Sequence, residues 1–163
     1  MAFAQAKKEE RIIFRQLTEM EIKHELFSSF VRRQVVEKCW RMENGHWRII
    51  DAPFIDDWTE EQLRFGIECL QKTVRTGGLV LGAFMNGELK GFVSVEPDFI
   101  GTESQYLDLS SIHVSADMRR RGIGSLLFGK AMDWAKKRGA SRLYISSHPA
   151  VESQAFYKKN GLR

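Results

Sequence analysis

The chain has 163 residues, 43% of them hydrophobic and 28% charged, with a formal net charge of +4. That is the balance of an ordinary globular domain, long enough to bury a core without staples, and it excludes a disordered or fibrous chain. No apolar run approaches the roughly eighteen residues of a membrane span; Cys39 and Cys69 form no disulfide framework and read as buried, reduced thiols of a cytoplasmic protein.

Residues 1–10 lack the apolar stretch of a signal peptide and read as a loose polar end. "RIIFRQLTEME" predicts a short strand around Ile12–Phe14, then a helix start, because Thr18 and Glu21 have capping-box spacing. The helix is expected to continue through "IKHELFSSFVRRQVVEKCW", broken near Ser28–Ser29, and "MENGHWRIIDAPFIDDW" reads as an irregular connection. Thr59 and Gln62 make a second capping box, opening a helix to about Arg75 that Gly77-Gly78 closes. Two strands follow, "LVLGAFM" and "LKGFVSVE", joined by the hairpin dipeptide Asn86-Gly87. In "YLDLSSIHV" the apolar positions switch from Leu107 and Leu109 to Ile112 and Val114, which a two-residue period permits only with an extra residue. A β-bulge is therefore predicted at Ser110–Ser111, splaying this strand from a neighbour and opening a cleft. A helix from about Gly122 to Arg138, a Gly139 stop, a strand "RLYIS" and a short helix "ESQAFYKKN" ending at Gly161 complete the pass. The order β-α-α-β-β-β-α-β-α predicts one α/β domain (an α+β mixed sheet) whose late, helix-crossed strands run parallel.

Between Arg119 and Arg142 lie eight basic residues and one acid, Asp133. Lys136, Lys137 and Arg138 end a helix, where cations complement its dipole; Arg119, Arg120 and Arg121 begin it, where they need another reason. A glycine turn leading into a helix presents unpaired amides to an anion, and flanking arginines can neutralise a diphosphate. Two better-known phosphate motifs fail. "GSLLFGKA" carries Ala131 where a magnesium-binding hydroxyl is needed and is apolar where a loop is needed, and "GIGSLL" places Leu127 where the third dinucleotide glycine belongs.

What remains, R-x-x-G-x-G from Arg119 to Gly124, resembles the pyrophosphate loop of the GCN5-related N-acetyltransferases (GNAT), which bind acetyl-coenzyme A. The bulged strand before it, and "SQAFYKKNGL" on a helix after the next strand, are similar to the same family's pattern, and the resemblance covers most of the chain from Leu79 onward. It implies acetyl-CoA as cosubstrate and no metal. It further implies that backbone groups of Ile112, His113 and Val114 bond the pantetheine arm. The amides of Arg119, Arg120, Arg121, Gly122, Ile123, Gly124 and Ser125 would cradle the pyrophosphate. Ser153 stands for the family's common alanine beside the cofactor, Phe156 packs beneath it, and Tyr157 matches the tyrosine near the thioester sulfur. Two departures stand out: Ala150 replaces a frequent asparagine, and the sequence ends at Arg163, where the family adds one or two strands.

The implied reaction is acetyl transfer to a primary amine of a small molecule or peptide. Tyr157 serves as the acid toward the leaving thiolate, on condition that the site lowers its pKa from about 10. Glu96 is the first candidate base and Asp108 the second, while His113, flanked by inward Ile112 and Val114, points to the other face. The segment of the first two helices carries an aromatic wall beside acids, including Trp40, Trp47, Asp57 and Trp58, suited to a cationic or aromatic amine. Two alternatives are a non-catalytic acyl-CoA sensor and a nucleic-acid binder using Arg119–Arg121. The second is disfavoured because no aromatics interleave with the arginines. No membrane partner is expected, and a homodimer is an option that sheet domains of this kind leave open.

Overall fold

A computed structural model describes residues 10–145 and 151–160. The expected polar end before Glu10, the Ala150 position and the Gly161 stop fall outside those residues. Strand β1 (Ile12–Gln16) is followed by two short 3-10 turns, Glu19–Glu21 and His24–Phe27. Then come β2 (Gln34–Glu43), β3 (His46–Asp56), helix α1 (Glu60–Arg75), β4 (Leu79–Met85), β5 (Glu88–Val95) and β6 (Tyr106–Val114). Helix α2 (Ile123–Lys137), β7 (Arg142–Tyr144) and α3 (Val151–Lys159) complete the order.

Five strands form one sheet in the order β1-β4-β5-β6-β7, antiparallel except for the parallel β6–β7 pair. This is the predicted mixed sheet with a parallel strand–helix–strand unit at its end. Strands β4 and β5 are buried almost throughout because both faces are covered. Leu81, Ala83, Val93 and Val95 pack with Ile123, Leu127 and Ala131 of α2, while Val80, Phe84, Leu89 and Phe92 pack with Ile67 and Leu70 of α1.

The first predicted helix is a correction. The Glu21 carboxylate does accept from the Thr18 amide at 2.7 Å, but the cap leads only into 3-10 turns. Burial of Ile22 and Phe27 against α1 and the sheet decides the local path here. The segment read as an irregular connection is also corrected. Together with the end of the supposed helix it forms the two-stranded sheet β2–β3. Asn44 and Gly45 both take positive φ, 49° and 78°, as a two-residue hairpin turn demands, and the flanking Val, Ile and Trp residues suit strands.

Two side-chain anchors fix the loop between the 3-10 turns and β2. Lys90, 5% exposed in a bulge of β5 against β4, donates from Nζ to Asp117 Oδ2 at 2.8 Å and to the Ser29 carbonyl at 3.1 Å. Ser115 Oγ accepts from the Val31 amide at 2.9 Å and bonds Asp117 Oδ1. Burial raises the Asp117 pKa, yet the bonds from Lys90 and Ser115 outweigh it and hold the carboxyl below its usual value. This arrangement carries Arg32 and Arg33 to the edge of β6.

Candidate active site

The β-bulge lies where the sequence places it. Ser94 pairs with Ser111 and Val95 with Leu109, leaving Ser110 as the extra residue. Leu107 and Leu109 before it, and Ile112 and Val114 after it, all meet the same core. On its other edge β6 pairs with β7 only at Tyr106, Leu107 and Asp108. Beyond Asp108 that edge has no strand partner among the described residues, and a cleft of about 630 Å³ opens between it and α3.

One end of the cleft is the start of α2. Its first intrahelical bond runs from the Leu126 amide to the Gly122 carbonyl at 3.1 Å, so the amides of Ile123, Gly124 and Ser125 precede the helix ladder. The contrast with α1 is direct. There Thr59 Oγ1 accepts from the Gln62 amide at 3.1 Å, Gln62 Oε1 accepts from the Thr59 amide at 3.0 Å, and Glu60 and Glu61 face the dipole. Helix α2 has a glycine cap at φ 78°, no side-chain cap and no acid in its first turn. Its positive end therefore carries no cap or acid of its own, a geometry that can receive an anion. Gly124 answers a second need, since a Cβ there would lie 3.0 Å from Phe156 Cε2 of α3.

The three arginines have three different employments. Arg119 turns inward: its guanidinium donates to the carbonyls of Val114 (3.2 Å), Arg33 (2.8 Å) and Arg32 (2.9 Å). Burial, and then the Arg32 charge, lower its pKa, with Asp56 opposing. Arg120 sits in the left-handed region at φ 64° and lines the cleft. Arg121 donates to Glu10 at 3.2 Å, both side chains being at least half exposed, and it alone of the predicted cofactor residues does not line the cleft. Ile112, His113, Val114, Gly122, Ile123, Gly124, Ser125, Ser153, Phe156 and Tyr157 all do.

Tyr157 differs from expectation in its acidity. Burial raises its pKa rather than lowering it, because the phenolate loses solvation. Its ring lies 5.4 Å from that of Phe156, edge to face.

A second space of about 320 Å³ lies on the opposite face of the sheet, under α1, and it shares His113 with the cleft. His113 pairs with Phe92 across the strands and packs against Trp58, with ring centroids 5.3 and 5.2 Å apart, so it does face away from Ile112 and Val114. Glu96 lines this cavity, and its Oε1 accepts from Thr73 Oγ1 at 2.8 Å and Ser110 Oγ at 2.7 Å. Ser110 Oγ bonds Ser94 Oγ at 2.8 Å, and Ser94 bonds Ser111. Asp108 lines neither space. Burial, and then the neighbouring Glu96 charge, raise its pKa. Cys69 is a further correction, since it is exposed on α1 at the cavity, whereas Cys39 is buried.

Five polar residues of this site are not singled out by the sequence pattern. Ser94 carried a usable signal, a hydroxyl inside the apolar run "FVSV" that is 1% exposed. Ser110 and Ser111 were read only as a bulge, and Thr73 lies on a helix face that reads as core. Arg32 gave no local signal. Its side chain is 10% exposed, pairs with Asp56 at 2.8 Å, lies 5.7 Å over the Trp58 ring and lines the cleft. Its Nε is buried without a hydrogen-bond partner among the described residues.

An uncapped helix start, a strand splayed at a bulge and a neighbouring carboxylate-bearing cavity define an acyl-CoA-type transferase fold. Residues 40–162 match the acetyltransferase (GNAT) family, and the chain belongs to that family. Over 82 residues it is 35% identical to an uncharacterised N-acetyltransferase of Methanocaldococcus jannaschii, a match covering 47% of this chain and 35% of that protein. The match thus spans about a third of that relative's length. Among solved structures, nourseothricin acetyltransferase is similar at TM-score 0.70 and 18% identity, over 92% of this chain and 82% of that one. A Bacillus anthracis structure in complex with acetyl coenzyme A, described as a streptothricin acetyltransferase, reaches TM-score 0.71 at 17% identity, over 93% and 83%. These likenesses establish the fold and confirm the mixed-sheet expectation.

Proposed function

We propose that this chain, acting as one domain, is an acetyl-CoA-dependent N-acetyltransferase that acylates a primary amine by direct attack. The observation that carries this is the meeting of two spaces at His113, a cleft ending in free helix amides and a cavity ending in a carboxylate. The cofactor fits the chain's own donors. The amides of Ile123, Gly124 and Ser125 with Arg120 suit the pyrophosphate, and the open edge of β6 suits the pantetheine amides. The orphaned Arg32 Nε suits a carbonyl along that arm.

A lysine-like amine is neutral in about one molecule in a few thousand at pH 7, a cost of roughly 4–5 kcal/mol. Glu96, held by Thr73 and Ser110, takes that proton directly or through one water. The C–N bond forms as the C–S bond breaks, the electron pair leaves on sulfur, the second proton shed by the acylated nitrogen passes to that thiolate, and Glu96 returns its own proton to water. Tyr157, kept protonated by its raised pKa, donates a hydrogen bond to that sulfur. Asp108 acts as the charged neighbour of Glu96 rather than as a base. The two free cysteines support a cytoplasmic setting, and the acceptor is a small-molecule or peptide amine.

The direct test is calorimetric titration of acetyl-CoA and of coenzyme A into the purified protein, followed by coenzyme A release with a panel of amines. Micromolar binding of both with amine-dependent release supports the reading. Absence of binding at millimolar cofactor overturns it.

A further inference from the structure

We infer that the acceptor is a compact monoamine with an apolar, flat body, and not a polycation; this rests on the acetyltransferase reading above. The cavity under α1 is divided by chemistry. At one end, polar groups gather on Glu96 through Thr73, Ser110, Ser94 and Ser111, while Gln62 and His113 line the cavity outside that cluster. Its other end is aromatic: Phe27, Trp58 and Phe92 lie with ring centroids 5.7 to 6.4 Å apart. Between them α1 contributes Leu63, Ile67 and Leu70. Glu96 directly follows β5, four residues beyond Phe92, about 13 Å at 3.3 Å per extended residue. An occupant can therefore reach from ring cluster to carboxylate.

Glu96 is the one carboxylate among the described residues that line this cavity. One ammonium group is answered there. A second or third, as in a polyamine or an aminosugar, meets no second carboxylate and would rest beside Leu63, Ile67 or Phe92, and a charge without a counter-ion against an apolar wall is disfavoured. The volume of about 320 Å³ sits at the low end of the roughly 300–1,000 Å³ typical of small-molecule sites.

Gly66 supplies the test. It lies on α1 in the cavity wall, and a Cβ added there meets no atom within 4 Å, so a side chain at this position grows into the open space without disturbing the helix. The experiment compares 2-phenylethylamine, spermidine and kanamycin with the wild-type protein and with Gly66→Phe. It reads kcat/KM for coenzyme A release, amine-induced thermal shift and acetyl-CoA affinity by calorimetry. The wild type should acetylate 2-phenylethylamine at least about tenfold better than either polycation and be thermally stabilised by it alone. Gly66→Phe should abolish both responses and leave acetyl-CoA affinity unchanged. Preference for spermidine or kanamycin, or phenylethylamine responses that survive Gly66→Phe, would overturn the inference while leaving the acetyltransferase reading intact. Failure of acetyl-CoA to bind the wild type would overturn that reading as well.

Discussion

Ser110 Oγ donates to Glu96 Oε1 at 2.7 Å, tying the extra residue of the β6 bulge to the carboxylate that directly follows β5. The bulge thus does two things at once. It lies just past Asp108, where β6 loses its β7 partner among the described residues, and it turns a hydroxyl toward Glu96. Thr73 completes the grip from α1 at 2.8 Å, so the carboxylate is oriented from both walls of the cavity.

The first prediction concerns that carboxylate. Glu96→Gln keeps the shape and can still bond one hydroxyl, but it removes the proton acceptor. The rate at pH 7 should fall by about 100-fold, within the range of general-base catalysis. Ser110→Ala should give a smaller loss, because Thr73 still holds Glu96. Turnover of the three proteins at pH 7 decides the matter, and an unchanged rate in Glu96→Gln removes Glu96 from the mechanism.

Tyr157 gives the second. Its pKa lies above the ordinary 10, raised by burial, so the hydroxyl stays protonated throughout the usual assay range. A rate limb from its ionisation should therefore not show below about pH 10. Tyr157→Phe should lower kcat by about tenfold or more, as loss of one positioned donor does, with acetyl-CoA affinity nearly unchanged. An unaltered kcat in Tyr157→Phe would make the tyrosine a packing residue beside Phe156 and revive the non-catalytic sensor reading.

Much of this was legible in the sequence, for reasons particular to each element. The odd-to-even switch between Leu109 and Ile112 located the bulge, because a strand cannot move its inward face without an extra residue. Asn86-Gly87 and the Thr59–Gln62 box carried local signals strong enough to stand alone. The hairpin β2–β3 was lost although Asn44-Gly45 is the same signal, since Thr18 and Glu21 upstream announced a helix that burial of Ile22 and Phe27 cut short. Arg119 shows the deeper limit. The carbonyls of Arg32 and Arg33 that it binds lie 87 and 86 residues away, and no local pattern encodes them.

That division among the arginines is the third prediction. Arg119→Ala leaves three carbonyls without their donor and loosens the loop that carries Arg32, so it should cost about 2–3 kcal/mol of stability, visible as a lower Tm. Arg120→Ala should leave Tm nearly unchanged while weakening acetyl-CoA binding, and it should flatten the dependence of that binding on salt. Thermal melts beside calorimetry at two ionic strengths separate the roles. Equal effects of the two variants on Tm and on affinity would refute the assignment.

Asp108 carries the last prediction, one of stability. Its pKa is raised above 3.8, first by burial and then by the Glu96 charge, so the folded protein holds this proton more tightly than the unfolded chain. A raised carboxylate contributes stability that is fully present below the unfolded pKa and is lost as pH rises through the folded one. At pH 7 the ionised Asp108 is therefore a net cost, tolerated beside a second carboxylate. Asp108→Asn should raise Tm at pH 7, and the gain should vanish near pH 3, where both proteins carry a neutral group. Because Asp108 lines neither the cleft nor the cavity, the same variant should keep most of its activity. Melting curves at the two pH values test the sign. A variant that melts lower than the parent at pH 7, or that loses turnover as Glu96→Gln does, would return Asp108 to the candidate bases.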